Sequence, residues 1–170
     1  MLPPAEGGDQ QIRRVAYAVH ELLDAPQGTG EAERPTRLVG LVNLMSAHGP
    51  NHLVLPEHLT IPASEESTTL VMELAYMLLP AAWGKGFAAE AVIAVFGECK
   101  NARAFWAPYE KVWVRAIVNA GNPASLKVMA KTPMREKGIY EWNGGERKVF
   151  LAGQWTNTST LHIWGMHLLG

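Results

Sequence analysis

Hydrophobic and polar residues alternate along this chain with two different periods, and the changes of period mark its elements. From Thr69 to Leu79, residues Leu70, Met72, Leu74, Tyr76 and Leu78 share one side of an extended chain, while Val71, Glu73, Ala75 and Met77 share the other. That alternation predicts a strand. Val112–Val118 predicts a second, with Trp113, Arg115 and Ile117 set against Val112, Val114, Ala116 and Val118. Between them, Ala88 to about Asn101 places Ala91, Val92, Val95, Phe96 and Cys99 on one helical stripe. Upstream, Ile12, Val15, Val19 and Leu22/Leu23 recur every three to four residues behind Asp9 as N-cap, which predicts a helix over Asp9–Leu23. Leu38–Met45 is a β-type run interrupted by Gly40 and Asn43. Residues 46–68 are a long polar connection, in which Pro56 and Pro62 confine any strand near Leu53 or Leu59–Ile61 to an edge.

Downstream, Asn122-Pro123 predicts a helix start, an N-cap residue followed by proline at the first helical position, and Pro133 must end that helix. Ile139–Trp142, Lys148–Trp155 and Leu161–Leu168 follow as strands, with a hairpin signal at Asn143-Gly144-Gly145. The order implies a mixed α/β (α+β) sheet with helices on its faces. Residues 1–8 are expected to be a disordered lead-in and 9–170 a single domain.

Composition narrows the class. A chain of 170 residues, 48% hydrophobic, is long enough to bury one sizeable core. A net charge of −1 argues against a basic nucleic-acid-binding field. Cys99 is the single cysteine, so no internal disulfide exists, and a reducing, cytoplasmic setting is expected. No apolar run approaches the ~20 residues that a membrane span requires. His48 and His52 have helical ligand spacing, but Gly49-Pro50 between them spoils a helix and no carboxylate or cysteine cluster supports them, so no metal is expected.

Trp83-Gly84-Lys85-Gly86-Phe87-Ala88 is the segment with the clearest chemistry. A glycine-punctuated loop between a strand and a helix aims unpartnered amides at an anion, and Lys85 adds a cation. A Walker-type loop would need a Lys-Ser/Thr pair that is absent here. Gly84-x-Gly86-x-x-Ala89 matches the dinucleotide pattern, but Pro80–Trp83 part the strand from the first glycine. Asn119 also stands where an acid for a ribose would be wanted. A loop that merely turns the chain is the remaining alternative.

Taken from Trp83, the same loop resembles the Gln/Arg-x-x-Gly-x-Gly/Ala signature of the GNAT superfamily of acyl-CoA-dependent N-acetyltransferases, with Gly86 and Ala88 at the small positions. The longer run Glu73-Leu74-Ala75-Tyr76 through Trp83-Gly84-Lys85-Gly86-Phe87-Ala88-Ala89-Glu90-Ala91 is similar to the branch of ribosomal-protein N-terminal (alanine) acetyltransferases. Asn122-Pro-Ala-Ser125-Leu-Lys-Val128-Met129-Ala-Lys131 resembles that branch's Asn-x-x-Ser-x-x-Val-Leu-x-Lys segment, in the right order and at the right distance. The resemblance extends over roughly residues 37–170.

It implies an acyl-CoA N-acyltransferase fold, a mostly antiparallel sheet in which the parallel pair Thr69–Leu79 and Val112–Val118 splays apart. It further implies acetyl-CoA as co-substrate and an amine, on a protein N-terminus or a small molecule, as acceptor. The pantetheine arm would pair near Leu78, and Trp83, Gly84, Lys85, Gly86, Phe87 and Ala88 would hold the pyrophosphate. Asn122 would touch the coenzyme. The superfamily's thiolate-protonating tyrosine aligns with Met129, leaving Ser125 as donor or thiol anchor. Glu73 is the carboxylate expected to draw the amine's proton. Each has a structural alternative: Asn122 as N-cap, Ser125 as a first-turn residue, Glu73 as a solvent-facing side chain. Lys111 and Arg115 are candidates for a coenzyme phosphate.

Two departures stand out. The family's first strand and first helix, which wall the acceptor site, are not found ahead of Asp9–Leu23, so either a form of the fold shortened at the N-terminus is expected, or a partner or second copy covering a sheet edge. Thr132-Pro133 replaces a Leu/Cys-Gly pair before Met134. A non-catalytic acyl-CoA-binding module and an NAD(P)-dependent oxidoreductase remain as rival functions.

Overall fold

The computed structural model describes residues 12–24, 34–47, 52–146, 148–151 and 154–170. Its elements are β1 (Arg14–Leu22), β2 (Thr36–Ser46), β3 (Thr69–Leu78), α1 (Phe87–Asn101), α2 (Arg103–Trp106), β4 (Lys111–Asn119), α3 (Pro123–Met129), β5 (Arg135–Asn143), β6 (Val149–Leu151), β7 (Gln154–Thr156) and β8 (Thr158–Leu169). Six strands form one sheet in the order β1-β2-β3-β4-β8-β5, and β6 and β7 pair separately. Within the larger sheet β3 and β4 run parallel, and the other neighbours are antiparallel. The mixed, mostly antiparallel architecture expected from the sequence is the one observed.

The parallel pair is short. It starts at Thr69 opposite Lys111 and stops at Glu73 opposite Arg115. Beyond that point β3 stays paired with β2 as far as Leu78, and β4 stays paired with β8 as far as Asn119. The two central strands therefore diverge into a V. Leu79 N–H donates to Val39 O of β2 at 2.8 Å. Because backbone groups alternate sides along a strand, those of Tyr76 and Leu78 point the other way, into the V.

One face of the sheet carries α1 and α3. Val42, Leu44, Leu70, Met72, Leu74, Val112, Val114, Ala116 and Val118 pack there with Val92, Val95 and Phe96 of α1 and Met129 of α3. Trp106 fills the bottom of this layer, fully buried, and donates its indole N–H to Cys99 O at 2.8 Å. The opposite face is covered over β4, β8 and β5 by the 52–68 connection, whose Leu53, Leu55 and Leu59 pack on Ile117, Leu161, Ile163, Tyr140 and Trp142. Over β1–β3 that same face is left open by the described residues: Leu41, Met45 and Met77 are 47%, 37% and 68% exposed.

Three expectations are corrected. The helix over Asp9–Leu23 is instead strand β1 from Arg14 onward, paired with β2; residues 9–11, like the lead-in 1–8, lie outside the described residues. The Val15–Val19 interval of four fits both periods, and Tyr17, which shares their face, decides for extension, helped by the β preference of Val and Tyr. Lys148–Trp155 is two short strands, β6 and β7, paired with each other, so Asn143-Gly144-Gly145 opens into that small ribbon while β5 pairs with β8. The 52–68 connection has two 3-10 turns, Glu57–Leu59 and Ala63–Glu65, in place of any strand. Pro56 and Pro62 stand immediately before these turns, as their N-caps. The helix from Asn122-Pro123 forms as expected but stops at Met129, ahead of Pro133. There Thr132 substitutes for the missing proline amide: its hydroxyl donates to Met129 O at 2.8 Å and accepts from Met134 N–H at 3.3 Å.

Candidate active site

The loop from β3 to α1 is built from backbone. A 3-10 turn over Pro80–Ala82 lifts the chain off the strand, and Trp83 folds back so that its indole N–H donates to Leu78 O at 2.8 Å. Gly84 and Gly86 follow at φ 75° and 89°. Left-handed backbone is unfavourable for residues with a Cβ, and a Cβ at either position would meet nothing within 4 Å, so conformation rather than crowding requires glycine here. Gly86 is the N-cap of α1 and has no side-chain cap. Among the described residues, no backbone N–H from Gly84 to Ala89 donates to a carbonyl. These amides lie at the positive end of a 15-residue helix, a geometry suited to receive an anion.

Lys85 is not free over this site. Its ammonium is 3.1 Å from Glu21 of β1, which also pairs with Arg37. Arg37 first and Lys85 second hold the Glu21 carboxyl below its ordinary value. As a solvent-exposed pair it is weak enough to open for a competing anion. Trp83 is exposed, as is Trp155, whereas Trp106 and Trp113 are buried.

On the α3 side of the V, Asn122 caps the helix, its Oδ1 accepting from Ser125 N–H at 3.1 Å. Ser125 itself is half-buried in the first turn. Across the V stands Tyr76, a residue that sequence reasoning treated only as packing. Its hydroxyl is buried without a hydrogen bond of good geometry. Burial raises its pKa, and the nearby Ser125 side chain pulls the other way. Met129, at the superfamily's tyrosine position, is fully buried.

The opposite face holds the other cluster. Glu73 and Arg115 are the last opposed residues of β3 and β4. The Glu73 Oε2 atom accepts from Arg115 Nη2 at 2.9 Å and from Nε at 3.1 Å. The third donor of that guanidinium, Nη1, reaches the carbonyl of Leu53 at 3.0 Å. His52, next in the chain, brings Nδ1 to 3.9 Å from the same Glu73 oxygen. Arg115 is only 5% exposed, so it is committed here and not free for a coenzyme phosphate. Lys111 is likewise paired, with Glu65 at 2.8 Å. No element of local sequence points to this cluster; its members lie 21 to 63 positions apart, and only the odd-numbered face shared by Glu73 and Arg115 hinted at it.

The other histidines are dispersed. His162 pairs with Glu136 at 2.5 Å, and His167 stands edge-on to Trp113. His48 lies outside the described residues. No group of three or more metal-ligating side chains occurs among the described residues, and no described helix is long and apolar enough to cross a membrane. The larger surface groove, about 430 Å³, lies between β1 and α1 along Tyr17–Leu22, Phe87, Glu90 and Glu98. Its wall is mostly apolar with three carboxylates, and Glu21 and Phe87 bring it up to the glycine loop, where Lys85 pairs with Glu21.

A sheet with one splayed parallel pair, and an amide loop where the first of those strands turns into a helix, is the arrangement of acyl-CoA N-acyltransferases. The acetyltransferase (GNAT) domain family matches residues 7–135, and the chain belongs to that family. Over 84 residues it is 36% identical to the uncharacterized protein YkkB of Bacillus subtilis, a match covering 49% of this chain and 45% of that one. Solved structures of similar shape include a GNAT-family acetyltransferase from Bacillus anthracis (18% identity, TM-score 0.47, 79% of this chain and 65% of that one). A variant of the spermidine N-acetyltransferase SpeG from Vibrio cholerae is another (16%, 0.48, 94% and 68%). The ribosomal-protein-S5-alanine acetyltransferase of Vibrio fischeri is a third (18%, 0.44, 75% and 54%). The chain thus spans less than half the length of YkkB and between 54% and 68% of these structures.

Proposed function

We propose that this chain transfers the acetyl group of acetyl-CoA to an amine by direct attack in a ternary complex. The observation that carries the reading is the meeting of two features at one place: a V opened between β3 and β4, and a loop of unpartnered amides at its mouth. In this reading the amides from Gly84 to Ala88 hold the pyrophosphate, the Trp83 N–H being donated to Pro80 O at 3.1 Å, and Lys85 exchanges Glu21 for a phosphate. The inward-facing backbone of Tyr76 and Leu78 pairs with the pantetheine amides in strand fashion. To expose its carbonyl, Leu78 must release the Trp83 indole, which makes Trp83 a reporter of binding. Asn122 contacts the coenzyme while capping α3.

The amine's nitrogen forms its bond to the thioester carbon as the carbon–sulfur bond breaks. Ser125, with the protonated Tyr76 hydroxyl beside it, donates to the departing sulfur. The proton lost by the amine leaves towards Glu73 on the opposite face. Acceptors in two classes fit: a protein N-terminus, as in the branch the sequence resembles, or a small-molecule amine. A cytoplasmic setting, and cover of the open β1–β3 face by a partner or second copy, belong to the same proposal. That open face also favours a second reading, an acyl-CoA-binding module without turnover. Family membership leaves the nicotinamide-dinucleotide reading without support.

Calorimetry with acetyl-CoA, CoA and NADP, followed by an assay of thiol release with amines and short peptides, tests this. Binding of both CoA forms, none of NADP, and acceptor-dependent thiol release are expected. NADP binding without CoA binding would sink the reading, and CoA binding without turnover would favour the binding module.

A further inference from the structure

We propose that His52 is the general base of the transfer, held in place by Glu73 and Arg115. The inference rests on the acetyl-transfer reading and names the group that receives the amine's proton. Its ground is the triple engagement of Arg115. This nearly buried guanidinium ties Glu73 Oε2 through two donors and the carbonyl of Leu53 through a third. It thereby clamps the segment carrying His52 onto the sheet at the point where β3 and β4 part. Nδ1 of His52 faces the Glu73 carboxylate at 3.9 Å, a distance of ion pairing rather than of hydrogen bonding.

At 3.9 Å the carboxylate attracts a proton to Nδ1 by charge alone, without a hydrogen bond, and the proposal assigns the basic lone pair to Nε2. No described residue bonds to Nε2, and the ring, 19% exposed, is accessible. Two guanidinium donors engage Glu73 Oε2, while Oε1 bonds to no described residue, so Glu73 is the competing base that the variants below separate from His52. With His52 as base, the Glu73 carboxylate faces the imidazolium that forms. In the balanced step, the amine nitrogen bonds to the acetyl carbon, its proton passes to Nε2, the thiolate leaves and takes a proton from the hydroxyl side of the V, and His52 returns its proton to solvent.

The charged surroundings of His52 are simple. Glu73 comes from β3 and Arg115 from β4. Met45 faces it from β2, opposite Glu73 in the ladder. Arg14, opposite Met45 on β1, is bound to Asn43 Oδ1 at 2.9 Å. β8 presents Gly165 opposite Arg115, and β5 continues the row with the exposed Arg135.

The test compares wild type, His52→Gln and Glu73→Gln. Acetyl-CoA affinity is measured by calorimetry, and kcat across pH with acceptor amines of graded basicity. H52Q is expected to bind acetyl-CoA within about twofold of wild type and to lose about 100-fold or more in kcat. It should also lose the acid-side fall of the pH profile. Its deficit should shrink for weakly basic amines and at high pH, where less base is needed; a purely structural role would move neither. E73Q, which keeps a polar side chain, is expected to lose about tenfold while retaining the pH limb. An unaltered H52Q, or a deficit equal for every amine and pH, overturns the proposal. So does a silent H52Q beside an inactive E73Q, since Glu73 would then be the base itself. Failure of wild type to bind acetyl-CoA, or turnover of no amine by a coenzyme-binding wild type, would instead bring down the acetyl-transfer reading on which the assignment rests.

Discussion

The two sides of the V are made of different material. The side proposed for the coenzyme is backbone, the amides from Gly84 to Ala89 at a helix N-terminus, presented by six consecutive residues. The side proposed for the amine is side chain: Glu73 from β3, Arg115 from β4 and His52 from a connection, brought together by folding and held by one guanidinium. A backbone site is carried by local φ/ψ preferences, so glycine spacing encodes it. A convergent site is carried by sheet register, which no short window of sequence contains. The contrast predicts that substitutions on the two sides will separate affinity from turnover.

Arg115→Leu gives the largest expected effect. It leaves Glu73 without its partner and frees the Leu53 carbonyl, so stability in urea should fall by about 2–3 kcal/mol. Turnover should collapse, and acetyl-CoA affinity should change little in whatever fraction folds. Coenzyme binding that falls in step with activity would erase the distinction between the sides.

Next comes the scaffold that the two sides share. Cys99 on α1 has its thiol pushed up from 9.0 to about 11, by burial first and the charge of Glu98 second. From pH 9 to about 11 the unfolded thiol has lost its proton and the folded one retains it. The unfolded state binds fewer protons there, so stability falls as pH rises, by roughly 2 kcal/mol over the interval. Tyr76, raised in the same direction, extends the decline beyond pH 10. Cys99→Ala should flatten the first part of the curve in thermal melts followed across pH; an unchanged slope would mean that another group titrates.

On the coenzyme side, Gly86→Ala forces a Cβ into left-handed backbone and is expected to weaken acetyl-CoA binding about tenfold, with about 1 kcal/mol of stability lost. Its kcat at saturating coenzyme should hold. Asn122→Ala removes the α3 cap for about 1 kcal/mol, whereas Asn122→Asp restores the cap without the amide. If both variants bind coenzyme normally, Asn122 is a cap alone and leaves the proposed site.

Much of the fold was legible in the sequence, and the reasons differ by region. Thr69–Leu79 and Val112–Val118 alternate over enough residues to exclude a helix, and Asn122-Pro123 is a start signal that the cap geometry matches. β1 was misassigned because a four-residue interval satisfies both periods, and the pairing with β2 that decides it lies beyond any window. The glycine loop and its conformation were legible. The clamp on His52 was not, because a histidine in a polar connection carries no periodic signal and its partners are 21 and 63 residues away.

Amide hydrogen exchange with and without acetyl-CoA tests the central claim most directly, since both the loop and the open strand edge are made of amides. The account predicts slowed exchange from Gly84 to Ala89 and at Tyr76 and Leu78 of β3, with β1, β5 and the 52–68 connection unchanged. Protection absent from those amides, or confined to the groove between β1 and α1, would contradict it.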